Sequence, residues 1–323
     1  MVATRVSEAD GFGNNRRFVH QAFLYDSDEL FAERASAFLR DGLACSEPGF
    51  VVVTPYNIAL LKHALRDSRD IVYVNSADWY ISPGRTLSAY LRRVREHTGP
   101  GRIRVIGEPM WAGRTPSQIL AWQRYESVIN LTLAESPAWI LCPYDTRVLP
   151  REVVEGARRT HPEVIDAQRT IPSSAYIEPA AFSAECDQRP LPPARPPVMT
   201  YRISRPELRR TRRLVTLAAL DHGLIGDRLD DLVAAVQEIA TNVVEHGGGH
   251  GSANVWLDGN DVVCDVIDSG SAWNYHLIGH RPPPPDSTSG LGVWIARRLC
   301  DQVEIRSGPH GSMVRLRMGL PDR

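Results

Sequence analysis

Residues 238–249 read EIATNVVEHGGG and place Glu238, Asn242 and His246 four residues apart. On a helix that spacing sets a carboxylate, an amide and an imidazole on one strip, a turn apart. The strip runs beside an apolar stripe of Leu229, Leu232, Val233, Val236, Ile239, Ala240 and Val243. By spacing alone it is a solvated helix edge. Two details point away from that reading. Asn is a poor residue for a helix interior, and the GGGHG that follows holds more glycine than a helix cap requires. Downstream, VIDSGSAW puts Asp268 at a strand end with Gly270 just after it, and STSGLGVWIARRL puts Gly290, Leu291 and Gly292 at the start of a helix. A glycine-rich turn feeding a helix N-terminus offers N–H groups and a positive dipole end, which suits a phosphate. A lone GLG is weak evidence, because glycine before a helix is commonly just a turn.

The elements that must position these residues follow from periodicity. Residues 199–204 predict a strand, and 206–220 and 228–246 predict helices. SANVWLD and DVVCDVID flank Gly259 in DGN, a hairpin signal. After a long loop come a helix at 292–300 and two strands, QVEIRS and SMVRLRM, around GPHG. Grouped strands with helices on one side predict an α+β two-layer sandwich. The first half alternates instead. Strands are expected at 17–25, 49–55, 71–75, 102–109 and 138–145. Helices are expected at 27–43, capped by Ser27, and at 57–65, 84–97, 115–134 and 150–160. This predicts an α/β domain with a mostly parallel sheet and helices on both faces. Between the halves, residues 172–197 carry Pro172, Pro179, Pro190, Pro192, Pro193, Pro196 and Pro197. Proline fixes φ and lacks an N–H, so a semi-extended linker with no regular helix is expected there. The expected division is 1–171, linker 172–197, and 198–323.

Composition narrows the classes. A chain of 323 residues is comfortable for two domains, and 43% hydrophobic with 23% charged residues belongs to a folded soluble protein. The net charge of -1 gives no general attraction to nucleic acid or to an anionic membrane, so neither is an expected partner. Cys45, Cys142, Cys186, Cys264 and Cys300 form no CxxC pair, which argues against a disulfide framework or a zinc site. The N-terminal stretch has no apolar run, and no segment approaches the roughly 20 apolar residues of a membrane span. A cytoplasmic location is expected.

In order and spacing, the C-terminal motifs resemble the ATP-binding domain shared by histidine kinases, gyrase B, Hsp90 and MutL, the GHKL type, over residues 198–323. Glu238-x-x-x-Asn242 matches its N box, Asp268-x-Gly270 its first glycine box and Gly290-x-Gly292 its second. Within that family the chain is most similar to the anti-sigma-factor serine kinases, whose N box continues to a His-Gly pair; Thr241, His246 and Gly247 fit. The resemblance implies ATP and Mg²⁺ as cofactors. Asn242 would complete the Mg²⁺ shell on the phosphates, Glu238 would act as general base, and Asp268 would bind the adenine amino group. Gly270, Gly290, Leu291 and Gly292, with His246, would line the nucleotide. One departure is Ala272, where the first glycine box usually ends in glycine. The proline-rich loop 273–289 reads as a spacer, with a stiffer lid as the other reading. Residues 172–205 contain no histidine for a phosphoacceptor hairpin, which counts against a sensor histidine kinase.

The first half lacks GxxxxGK[ST]: its first strand turns through YDSDEL. Ligands of open parallel sheets bind beyond the carboxyl ends of the strands. HQAFLYDSDEL, GEPMWAGR, CPYDT and ARRTHP resemble the MEDS sensory domain of methanogen and methylotroph regulators, over residues 17–165. That implies a RecA- or KaiC-like core without phosphate-binding machinery, sensing an unidentified small molecule or signal. His20, Tyr25, Glu108, Trp111, Cys142 and Tyr144 are candidates for a sensory rim, with packing as the other reading of the same residues.

Together the resemblances imply a bacterial stress-response regulator of transcription, an anti-sigma-factor-type serine kinase. It binds ATP-Mg²⁺ and a sigma factor or a STAS-type anti-anti-sigma partner, whose serine it phosphorylates, and it acts as a homodimer. The alternative is an ATP-binding switch that transfers nothing. Arg209, Arg210, Arg212 and Arg213 form either a solvated helix face or a partner surface.

Overall fold

In the computed structural model, residues 17–65, 69–99, 101–166, 169–270, 275–283 and 290–321 are described. Two compact units form, one around each of two sheets.

The first sheet takes its strands from runs with no polar face to offer water. Phe50, Val51, Val52 and Val53 are all at most 3% exposed, so the segment is stable only with both faces covered. The chain runs β1 (Val19–Tyr25), α1 (Asp28–Ala44), β2 (Gly49–Val53), α2 (Pro55–Leu65), β3 (Ile71–Asn75), α3 (Ser76–Trp79), α4 (Pro83–Arg95), β4 (Ile103–Gly107), α5 (Pro116–Thr132), β5 (Ala138–Asp145) and α6 (Arg151–Thr160). Two short strands follow, β6 (Glu163–Asp166) and β7 (Arg169–Pro172). The order is β3-β2-β4-β5-β1-β6-β7, parallel throughout except for the antiparallel β6–β7 pair. The expected strands and the parallel sheet are present. The β6–β7 extension was not expected: strands of four residues are too short to show an alternation. Ser27 caps α1 as expected, its hydroxyl accepting the Leu30 N–H at 3.3 Å. A side chain therefore occupies the helix start where a phosphate-binding loop would present bare amides.

The linker expectation needs correction. Residues 179–188 form α7 (Pro179–Gln188). Pro179 opens the helix, where a missing N–H costs nothing, and no proline follows before Pro190. Phe182, Ser183, Cys186 and Asp187 are buried on it.

The second sheet orders β11-β12-β10-β9-β8, antiparallel throughout. Its strands are β8 (Met199–Ser204), β9 (His250–Asp258), β10 (Asp261–Asp268), β11 (Gln302–Gly308) and β12 (Gly311–Gly319). Between β8 and β9 lie α8 (Leu208–Asp221) and α9 (Gly226–Glu245); α10 (Leu291–Leu299) precedes β11. One core joins Val215 and Ala219 of α8, Leu232, Val236, Ile239 and Val243 of α9 and Ala296 of α10 to Val255, Val262, Cys264, Val266, Leu316 and Met318 of the sheet. This is the expected two-layer arrangement. On β10 and β12, Asp265 and Arg315 pair at 2.7 and 2.8 Å, both nearly inaccessible. The Arg315 guanidinium sits 5.0 Å from the Trp256 ring and donates to the Pro192 carbonyl at 2.7 Å, so the proline-rich stretch is tied to the sheet.

Candidate functional site

The stripe on α9 that enters the core leaves Glu238 and Asn242 half-buried on its flank. Gly292, in the first turn of α10, lies against them. A Cβ on Gly292 would stand 3.2 Å from Asn242 Nδ2 and 3.2 Å from Glu238 Oε2, so only a bare backbone lets the two helices meet there without adjustment. Gly290 caps α10 with φ 81°, a left-handed conformation that favours glycine. The first amides of α10 thus stand beside the carboxylate and amide of α9.

The end of α9 meets the end of β10. The His246 N–H donates to the Asn242 carbonyl at 2.8 Å, and Gly247 and Gly249 donate to the Val243 carbonyl at 3.0 and 3.1 Å. These bonds close the helix and turn the chain toward Asp268. A Cβ on Gly247 would be 2.8 Å from Asp268 Cγ, and one on Gly270 would be 2.8 Å from Gly247 Cα. Asp268 Oδ1 accepts the Gly270 N–H at 2.6 Å. Burial pushes the Asp268 carboxyl up, and the Gly270 N–H partly opposes this. Ser312 of β12 donates to the Gly270 carbonyl at 2.8 Å and holds the turn, a contact sequence reading did not find.

The N box and the two glycine boxes therefore converge on one end of α9. His246 is the exposed C-cap residue, and Leu291 is 43% exposed. The Thr241 hydroxyl is turned back to the Gln237 carbonyl at 2.8 Å. Ala272 and residues 284–289 of the proline-rich loop lie outside the described residues. The described part of that loop is anchored: Arg297 donates to the Ile278 carbonyl at 2.9 Å, and His276 meets Asp187 at 2.7 Å.

In the first unit the strand ends of β1, β2, β4 and β5 surround a cavity of about 280 Å³ lined by Tyr25, Thr54, Asn57, Glu108, Trp111 and Arg147, among others. Glu108 accepts from the Thr54 N–H at 3.0 Å and from Asn57 Nδ2 at 2.9 Å. Burial pushes its carboxyl up, against those hydrogen bonds. Burial and the Glu108 charge also push the Tyr25 phenol up. Arg147 bridges Asp28 and Asp145 at the mouth, 2.7 Å from each. Asn57 and Arg147 were not singled out in the sequence; Asn57, two residues after the Thr54-Pro55 strand end, was the nearest signal.

Three of the rim candidates do not line this cavity. His20 is the second residue of β1, five before its carboxyl end, and lies inside the sheet with Cys142. Tyr144 is buried behind the cavity wall, its ring 6.1 Å from that of Trp111.

The model for MEDS, the methanogen/methylotroph, DcmR sensory domain, matches residues 19–162. The model for the histidine kinase-like ATPase domain matches residues 204–318. No curated protein matches the chain. Among solved structures, the RsbU and RsbW domains of a Mycobacterium tuberculosis protein are similar at 21% identity and a TM-score of 0.31. The match covers 39% of this chain and only 33% of that one.

Proposed function

From a chain that joins an N-terminal MEDS sensory domain to a C-terminal histidine kinase-like ATPase domain, we propose a cytoplasmic signalling regulator of anti-sigma-factor type that binds ATP-Mg²⁺ and phosphorylates a serine on a STAS-type antagonist. The observation that carries this is the convergence of Glu238, Asn242 and Gly292 at one flank of α9, with Asp268, Gly247 and Gly270 at its end. Phosphoryl transfer needs chiefly positioning and charge neutralisation, and the two halves of this wall divide those tasks. Asp268 takes the adenine amino group. The first amides of α10, bared by Gly290 and Gly292, face the phosphates. Mg²⁺ takes hard oxygen ligands and keeps several waters, so the Asn242 amide oxygen and the phosphates suffice to hold it. Glu238, beside Asn242, takes the proton from the attacking serine hydroxyl. The cavity bounded by Glu108, Tyr25 and Trp111 receives the signal.

Incubating the protein with labelled ATP, Mg²⁺ and candidate antagonists tests the reading. Transfer of label to a serine that disappears in Glu238→Ala supports it. Tight ATP binding with no transfer to any antagonist establishes the switch reading instead. Acid-labile autophosphorylation marks a histidine kinase.

A further inference from the structure

A buried cluster in the first unit belongs to neither site above. His20 on β1, Cys142 on β5 and His161 just beyond α6 are each at most 2% exposed, and one ligand atom from each lies within 4.8 Å of both others. His20 and Cys142 share a sheet face, because Cys142 pairs with Ala22, two residues on from His20. His20 Nε2 is 3.4 Å from Cys142 Sγ, and the two imidazole rings are 3.9 Å apart.

The surrounding hydrogen bonds fix which nitrogens face inward. Asn130 donates its amide to the Thr160 carbonyl at 2.8 Å, so its oxygen faces His20 Nδ1 at 3.0 Å, and that nitrogen carries the proton. His161 Nδ1 lies 2.9 Å from the Ala157 carbonyl, which can only accept. Both rings therefore present an Nε2 lone pair, each with its Nδ1–H held by an oxygen. This is the outer arrangement that metal-bound histidines almost always show.

We propose that His20, His161 and Cys142 hold a divalent cation of zinc type, with the fourth position left to a water. A tetrahedral zinc site with nitrogen and sulfur ligands has N···S edges of about 3.6 Å, close to the separation of His20 and Cys142. The Cys142 thiolate offsets half of the ion's charge, where burial makes a bare charge costly. Binding releases the Cys142 thiol proton to solvent. The Tyr144 ring packs edge-on to His161 at 5.7 Å and faces Trp111 of the cavity wall, so the cation sits one ring behind the cavity. The alternative is a dry network in which the thiol donates to His20. Cysteine spacing had argued against zinc because only one cysteine takes part and its partners are distant in sequence.

The test uses the full-length protein, Zn²⁺ and Co²⁺. Metal analysis after gel filtration should find about one zinc per chain, and cobalt substitution should give a near-ultraviolet thiolate charge-transfer band. Cys142→Ser should abolish the band. Asn130→Ala, which removes the orienting contact but no proposed ligand, should weaken zinc affinity about 10–100-fold. If Cys142→Ser does not fold, wild type still decides: a chelator should lower its melting temperature and added zinc should restore it. Folded wild type that retains neither metal and melts unchanged with zinc or chelator overturns the proposal. So does a cobalt band that persists in folded Cys142→Ser. None of these readings depends on nucleotide binding.

Discussion

At the scale of single residues, Asp268, the proposed adenine contact, would set binding against stability. Burial raises its carboxyl in the folded state above the unfolded value. Between those two values the folded protein binds more proton than the unfolded one, so stability falls as pH rises through that window. The loss then persists at neutral pH. Asp268→Asn should flatten this part of the urea-midpoint profile and leave the unliganded protein at least as stable at pH 7. It should also abolish ATP binding, because the amide no longer matches the adenine amino group. Unchanged ATP affinity would remove Asp268 from the nucleotide site. Gly292→Ala is the steric counterpart. Its Cβ meets Asn242 and Glu238 at 3.2 Å, so those side chains must give by a few tenths of an ångström. Alanine favours a helix over glycine by about 1 kcal/mol. The variant should therefore fold normally yet bind Mg²⁺-ATP about tenfold more weakly, a cost of about 1.4 kcal/mol. Calorimetric titration measures this. The candidate residues that meet around α9 are legible because each is a local signal: a misplaced Asn, an excess of glycine, an acid at a strand end. Ser312, Asn57 and Arg147 were not, because their roles come from partners distant in sequence, such as Gly270, Glu108 and Asp28.

At the scale of elements, the legible parts were those whose burial is written in their composition. The parallel strands are apolar runs, and α9 carries a continuous stripe. β7 was invisible because all four of its residues are exposed and it ends in Pro172, at a sheet edge where a missing N–H is tolerated. α7 was hidden by the prolines on either side of it. His20 lies near the start of β1, so a strand-end pattern does not reach it. The packing on the second face of the C-terminal sheet was also unreadable, since it depends on Asp265 meeting Arg315, 50 residues away. Both ions are desolvated, so removing one strands the other. Arg315→Ala should cost about 3–5 kcal/mol, read as a fall in the urea midpoint at unchanged slope. Replacing both ions by apolar residues of similar volume should restore most of it. Equal losses in the single and double variants would mean that packing against Trp256, not the charge, is what matters there.

For the whole molecule, two sheets with separate cores predict more than one calorimetric transition. Mg²⁺-ATP at about 100 times its Kd should stabilise the unit that binds it by about 2.7 kcal/mol. For a unit of this size that is a rise of roughly 10 °C in melting temperature, absent in Asn242→Ala. Regulation imposes a further condition. If a signal in the Glu108 cavity changes ATP affinity, ATP must change the affinity for that signal by the same factor, because coupling between binding sites is reciprocal. A typical coupling of about 1–3 kcal/mol is large enough to move the first unit's transition as well. The expected outcome is that ATP shifts both transitions in wild type and neither in Asn242→Ala. A shift confined to the second unit would leave the first without influence on nucleotide affinity, and its role would then be to recruit a partner rather than to gate the proposed nucleotide site.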